Sequence, residues 1–341
     1  MNHAKQPLSD KPWVPGDAEE NDDAVIESEW RELTLAPVHH GERLDRVLAT
    51  LIPEFSRSYL QQLIEQDAVS LLGEATPLRK PSLRMKAGQG LRVELRPTAQ
   101  SQAFVPQAMA LETVHCDPCL RVIHKPAGLV VHPAPGHWSG TLLNGLLALD
   151  TAAATLPRAG IVHRLDKDTS GLMLVARTRH CMDALVALIA AREVHREYLA
   201  IVHGAWPEGQ VRELEAPLGR DPRNRLRMAV VDLARHSGKS AHTTVTGLAA
   251  TPQASLVHCR LHTGRTHQIR VHLAHQGYPL AGDTLYGGQP LAGLTRQALH
   301  AFRLSLAHPQ TGQALAFQAP LPSDLSTALA ALGLRYNEKT V

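Results

Sequence analysis

Apolar and polar residues alternate with two different periods along this chain, and the places where the period changes mark its elements. Leu44, Val47, Leu48 and Leu51 recur at helical spacing up to Ile52-Pro53. Ser56 then stands as the cap of a second helix, whose stripe is Tyr59, Leu60, Leu63 and Ile64. Beyond it the period falls to two. Residues 68–72 and 91–95 read as half-buried strands, with Gly88 and Gly90 at the turn between them. Residues 111–115 and 120–124 alternate around Cys116-Asp117-Pro118-Cys119, which predicts a hairpin. Helices are expected over 141–149 and 183–191, and a strand over 196–202. The run Leu172-Met173-Leu174-Val175 is short, apolar and bounded by polar residues, as a strand buried on both faces is.

Composition divides the chain further. Residues 1–30 carry eight acids against Lys5 and Lys11, include proline and show no apolar period, so a disordered acidic tail is expected there. The net charge of +3 then conceals a basic remainder, 33 basic against 24 acidic residues or about +9, which suits a polyanionic partner. No apolar run approaches the roughly 18 residues of a membrane span, and no apolar core follows Met1, so a cytoplasmic protein is expected. Residues 96–108, with Pro97 and Pro106, read as a linker. Four cysteines make no disulfide framework, and free thiols are expected. Cys116 and Cys119 lack a second metal-spaced pair, and the histidines at 258, 262, 267, 272 and 275 lack a matching carboxylate set. We therefore expect no metal and no cofactor.

The most informative stretch runs from Gly160 to Leu172. It places Arg164, Asp166, Lys167 and Asp168 between an apolar entry and the buried strand, where a loop at a strand end can present charge to a ligand. A surface ion pair of Arg164 with Asp166 is the bland reading of those residues alone. The whole string His163-Arg164-Leu165-Asp166, then Thr169-Ser170-Gly171-Leu172, resembles the signature of the RluA/RluD family of RNA pseudouridine synthases. Further motifs agree in order: Lys125-Pro126 leading to a strand, Arg196-Glu197-Tyr198, the segment from Leu261 to His272, and Gly282-Asp283-Thr284-Leu285-Tyr286-Gly287. Residues 41–95, with Arg43-Leu44-Asp45 and Ser56-Arg57-Ser58, resemble the small S4-like RNA-binding domain that precedes the catalytic domain in many members.

The resemblance implies an α+β pseudouridine synthase fold over 109–325, a mixed and largely antiparallel sheet with a central cleft and flanking helices, followed by a tail over 326–341. It implies Asp166 as nucleophile, Arg270 as the cation paired with it and Tyr198 as the aromatic active-site residue, either stacking on the uracil or acting as a general base. Arg164 would prop the space left by a flipped uridine, Leu165 and Ile269 would wall the pocket, and Arg265 is a further substrate-binding candidate. RNA contacts are expected from Arg43, Arg57, Arg79 and Lys80, and from Arg223, Arg225 and Arg227 in the basic segment 218–240. The expected substrate is large-subunit ribosomal RNA, free or in a pre-ribosomal particle, acted on by a monomer. A non-catalytic ribosome-assembly factor on the same fold is the alternative. A magnesium-dependent aspartyl phosphatase is disfavoured because His163-Arg164 stand where that site needs an apolar strand.

Overall fold

The computed structural model describes residues 29–53, 55, 57–95, 101–134, 137–224 and 227–337. The acidic stretch 1–28, Ser56, part of the expected linker and Arg225 lie outside the described residues. The chain forms two compact units, residues 1–98 and 99–341.

In the first unit β1 (Glu29–Thr34), β3 (Gly90–Leu95) and β2 (Val69–Leu71) make an antiparallel sheet in that order, with α1 (Leu44–Leu51) and α2 (Arg57–Glu65) packed on it. The two apolar stripes close on the sheet: Leu44, Val47 and Leu48 meet Leu60, Leu63, Ile64 and Val93 in one core. Strand β1 was not expected. Its charged Glu-Trp-Arg-Glu sequence hides a pairing along the whole of β3, from Glu29 opposite Leu95 to Thr34 opposite Gly90. The expected tail boundary at residue 30 therefore falls inside a strand.

The second unit is built on one sheet. Its path is β4 (Glu112–Cys116), β5 (Leu120–Lys125), β6 (Ser170–Ala176), β14 (Leu299–Ala307), β7 (His195–His203), β13 (Ala254–Leu261), β12 (Thr243–Ala250) and β8 (Val211–Leu214), with β15 (Ala314–Gln318) paired to β14. Every pairing is antiparallel except β6 with β14, where Ser170 and Gly171 lie beside His300 and Ala301. That approach requires glycine: Gly171 has φ 119°, and a Cβ there would stand 2.2 Å from the Ala301 carbonyl oxygen. As expected of a strand covered on both faces, all of β6 is buried.

Helices α3 (Leu142–Leu149, capped by the Thr141 hydroxyl), α4 (Arg179–Ala190) and α5 (Gln268–His275) flank the sheet elements. The basic segment folds as a small sheet of its own, β9 (Leu218–Arg220) between β10 (Met228–Val230) and β11 (Gly238–Lys239).

Several expectations need correction. Residues 126–131 form a turn and irregular chain, not a strand, because the Lys125 ammonium takes up the carbonyls of Pro126 and Leu129. The last unit does not end at residue 325: α6 (Ser323–Ala331) buries Leu325, Ala328 and Leu329, and Leu334 follows into the same cluster. Cys119 and Cys181 are joined as a disulfide, where free thiols were expected. Their separation of 62 residues gives no sequence cue, whereas the packing at the start of β5 and the first turn of α4 brings their Cα atoms to 5.6 Å. The Cys-x-x-Cys itself is a turn, its Asp117 carboxylate accepting from the Cys119 and Leu120 amides.

In the first unit Asp45 is fully buried, and it accepts from Arg43 (3.0 and 3.1 Å), Arg57 (2.6 and 3.1 Å) and Gln61 (2.7 Å). Arg43 foremost, then Arg57 and Gln61, hold its carboxyl well below the ordinary carboxylate range against the opposing effect of burial. The folded pKa lies below the unfolded one, so this stabilisation is present above about pH 4 and is lost as pH falls toward the folded value. Asp45→Asn is expected to lower the unfolding free energy of this unit by about 2 kcal/mol at pH 7. Chemical denaturation at pH 7 and pH 3 checks it: the gap between wild type and variant should narrow at the lower pH.

Candidate active site

The loop between the last turn before Ile161 and the start of β6 is held from below by cations bonded to its carbonyls. Lys125, with no exposed surface, donates to the carbonyls of Pro126 (2.7 Å), Leu129 (3.0 Å) and Lys167 (2.9 Å). Burial brings its pKa down to about 8, partly offset by Asp168 and Asp166. The Gly128 amide donates to the same Lys167 carbonyl at 2.9 Å. Arg296 donates to the Asp168 carbonyl at 2.9 Å while Asp324 grips its fork at 2.7 and 3.0 Å. Such a frame fixes the backbone and leaves the Asp166 side chain free to face a ligand.

Asp166 meets Arg270 of α5, whose Nη1 donates to Asp166 Oδ2 at 3.1 Å. Arg270 is itself braced. Its Nε and Nη2 donate to the two oxygens of the buried Asp283 at 2.7 and 2.8 Å. Burial alone would pull the Arg270 pKa down, but Asp283 and then Asp166 outweigh it and hold it above its ordinary value. The ring of Tyr286 lies under the guanidinium, 4.9 Å from its centroid.

His267 completes this cluster. It stands at the N-terminus of α5 in the left-handed conformation (φ 57°), with Nδ1 hydrogen-bonded to the Tyr286 hydroxyl at 2.7 Å and Nε2 3.8 Å from Asp166 Oδ1. A non-glycine residue in that conformation beside a reactive carboxylate is where backbone strain collects. Burial lowers its pKa, against the pull of Asp166, so the ring is mainly neutral near pH 7.

These groups open on a cavity of about 480 Å³ lined by Arg164, Leu165, Asp166, Tyr198, Arg265, Ile269 and Arg270, among others. Leu165 and Ile269 are buried wall, and Tyr198 rises from β7 with its ring in the main core. Burial, ahead of neighbouring charges, pushes its hydroxyl up to about 12, which makes it a neutral phenol at pH 7. Arg164 is exposed on the rim, and Arg265 reaches across to the Ser240 carbonyl at 3.0 Å. The structure therefore brings Asp166, Tyr198, Arg270, Arg164, Leu165, Ile269 and Arg265 to one cavity. Asp283, His267, Lys125 and Arg296 were given no role in the sequence reading. Lys125, His267 and Asp283 each stand in a motif named above, whereas Arg296 stands in none.

The expected RNA contacts are distributed differently. Arg43 and Arg57 are engaged by Asp45, and both nitrogens of the Arg79 fork are taken by Asp67 at 2.6 and 2.9 Å. Arg227 is paired with Asp221. Lys80 and Arg223 are exposed. Among the described residues one group has metal-ligand spacing, Glu213, His242 and His262. Each ring already has a protein partner, His242 in Glu213 at 2.6 Å and His262 in Thr244 at 2.8 Å. The other histidines named above are also held structurally where bonds are seen: His258 by Glu197, and His272 between Thr243 and the Ala216 carbonyl.

Residues 120–275 match the family model described as RNA pseudouridylate synthase. "Ribosomal large subunit pseudouridine synthase D" of Neisseria meningitidis serogroup A is 46% identical over 306 residues, covering 86% of this chain and 79% of the relative. The proteins of the same name from Nitrosomonas europaea and Xanthomonas campestris pv. campestris are 44% and 43% identical, over 88% and 90% of this chain and 87% and 94% of theirs. A solved structure titled "Human RNA Pseudouridylate Synthase Domain Containing 4" superposes with a TM-score of 0.52 at 26% identity, over 66% of this chain and 94% of that one. The expected α+β architecture agrees with it.

The geometry makes Asp283 the support of the pair. Asp283→Asn keeps the shape but halves the acceptor strength of the brace, so Arg270 no longer holds Asp166 in one place. Turnover is expected to fall by about 100-fold, the usual cost of a reactive group misplaced by an ångström. The thermal midpoint should fall as well, because the buried guanidinium loses a full charge partner, so the rates are compared at a temperature well below the variant's midpoint.

Proposed function

The chain belongs to the RNA pseudouridine synthase family, and from that premise we infer that it isomerises specific uridines of large-subunit ribosomal RNA, with Asp166 as the nucleophile. The observation that carries this is the buried Asp166–Arg270–Asp283 chain opening on a cavity walled by Tyr198. The site needs a single unpaired nucleotide, because a base inside a stem cannot reach it. The uridine is flipped, and exposed Arg164 fills the space it leaves while the neutral Tyr198 ring stacks on the base. Asp166 attacks the ribose as the C1′–N1 bond breaks, the base turns, and C5 displaces the carboxylate. No electrons and no group are gained or lost, so the chemistry calls for no metal, nucleotide or reductant.

Two observations support ribosomal RNA as the substrate class: relatives at 43–46% identity carry that name, and the folded part of the chain is basic. Among the described residues no helix is long and apolar enough to cross a membrane. Action as a monomer in the cytoplasm, on free RNA or on an assembling particle, completes the reading.

The first unit acts in this reading as the S4-like RNA-binding domain. Exposed Arg46, Lys80 and Lys86 serve it, since none of them is ion-paired among the described residues, while Arg43, Arg57 and Arg79 are held by carboxylates.

Release of tritium from RNA carrying C5-labelled uridine tests the activity. Asp166→Asn is expected to abolish release while RNA affinity stays within about twofold, because the amide preserves shape but is no nucleophile. Turnover by the pure Asn variant would sink the assignment.

Neutralising Arg46, Lys80 and Lys86 together is expected to weaken RNA binding and to flatten the plot of log affinity against log salt by about one unit for each phosphate no longer bound. Neutralising Arg43 and Arg57 should lower the stability of the first unit more than it alters that slope. A slope unmoved by the first set would remove the RNA-binding role from this unit.

A further inference from the structure

Of the two buried arginines that line the cavity, Arg270 and Arg196, the second has no partner among the described residues. It lies on β7 two residues before Tyr198, on the same face of the strand, and only 7% of its surface is exposed. It lines the same cavity as Asp166. Arg270 has two carboxylates, whereas Arg196 has neither an ion pair nor a hydrogen bond among the described residues. Its Nε is one of three buried side-chain nitrogens left without a partner, and the other two, His132 Nε2 and His163 Nδ1, also belong to residues lining this cavity. Unpaired buried polar groups are rare and costly, and three around one cavity, at least the Arg196 Nε a donor, point to missing partners there.

The tautomer of His163 supports this. Its Nε2 accepts from the Leu174 amide at 2.9 Å, so in the neutral ring Nδ1 carries the proton and is a second donor without an acceptor. Burial, with Arg196 second, pushes that ring down to about 3 and keeps it neutral. Room for the guanidinium is left by Gly264: a Cβ there would stand 2.8 Å from Arg196 Nη1.

We propose that Arg196 binds the uracil ring at a carbonyl oxygen and stabilises the negative charge the base carries while it is detached from the ribose. This rests on the pseudouridine synthase reading of the site. When the C1′–N1 bond breaks, its electron pair leaves with N1 and spreads over O2, O4 and C5. The C1′–C5 bond then forms with an electron pair from C5, Asp166 departs as carboxylate, C5 loses its proton and N1 gains one, so the product is an isomer of the substrate. An uncompensated guanidinium that is largely buried, its Nε shut off from solvent, stabilises such a transient anion better than a fully solvated one does. A phosphate is the alternative acceptor. Phosphates stay on the RNA backbone, however, where exposed Arg164 is available, whereas Arg196 lies buried beside the ring of Tyr198.

The test compares single-turnover rates and RNA affinities of wild type, Arg196→Met, Arg196→Lys and Gly264→Ala on matched RNAs bearing uridine or 5-fluorouridine at the target. Fluorine makes the base more acidic and a better leaving group without altering any phosphate. Arg196→Met is expected to slow glycosidic cleavage of uridine by about 100-fold with affinity changed less than about threefold, and to lose at least about tenfold of that defect on 5-fluorouridine. Arg196→Lys should recover part of the rate. Gly264→Ala, which displaces the guanidinium without removing its charge, should show the same base-dependent defect in milder form, and it carries the test if Arg196→Met fails to fold. Equal defects on both bases, with weaker binding and a shallower salt slope, would assign Arg196 to a phosphate and overturn the proposal. Equal defects on both bases with unchanged binding would reduce Arg196 to packing and overturn it as well. A wild type without turnover defeats the reading of the whole site, whereas an active wild type matched by an equally active Arg196→Met defeats this proposal alone.

Discussion

The buried chain of charges Asp166–Arg270–Asp283 is the constraint on which the catalytic unit depends. A guanidinium with 8% of its side chain exposed is tolerated only because Asp283 satisfies one edge of its fork completely and Asp166 takes part of another. Breaking such a pair strands a charge, so the cost of losing either partner exceeds the worth of the bond itself. The arrangement is asymmetric in a useful way. Asp283, 2% exposed, is structural ballast, whereas Asp166, at 15%, keeps an oxygen toward the cavity. One carboxylate fixes the cation and the other is positioned by it. This division also explains why α5 begins where it does: His267 in the left-handed conformation turns the chain so that Ile269 and Arg270 enter the site together on the first turn.

Much of this was legible in the sequence, and what was not has identifiable physical causes. The helix stripes at Leu44–Leu51 and Tyr59–Ile64, the hairpin around Asp117 and the apolar run Leu172–Val175 of the buried β6 are local patterns, and local patterns survive in one dimension. The motif around Asp166 was legible because its residues are consecutive. Strand β1 escaped because its polar alternation looks like a solvated tail until β3 is placed beside it. The Cys119–Cys181 pairing and the Lys125 cap on Lys167 are contacts across 62 and 42 residues, with no periodic signature at either end. The basic residues were misread for a different reason. A count of arginines does not reveal which are already neutralised, and Asp45, Asp67 and Asp221 claim four of those named.

Two kinds of cation therefore share the chain. Those with carboxylate partners shape it, as Arg57 and Arg270 do. The unpaired ones, exposed or buried, are the groups that still have hydrogen bonds to offer an RNA. Sorting the positive residues by partner rather than by position separates architecture from recognition more cleanly than net charge can.

The parallel pairing of β6 with β14 has a consequence in time. Ser170 and His300, which face one another across it, are 130 residues apart, and three of the groups that brace Asp166 and its loop, Arg270, Asp283 and Arg296, come more than 100 residues after it. Synthesis runs from the N-terminus, so Asp166 leaves the ribosome long before Arg270 does. Until residue 300 has emerged, the strand that closes the sheet beside Gly171 is absent, and of the loop's frame only the Lys125 and Gly128 side is present. The Asp166–Arg270–Asp283 chain of charges therefore assembles only after residue 283 has emerged, and for the intervening stretch of synthesis the carboxylate of Asp166 is without its cation.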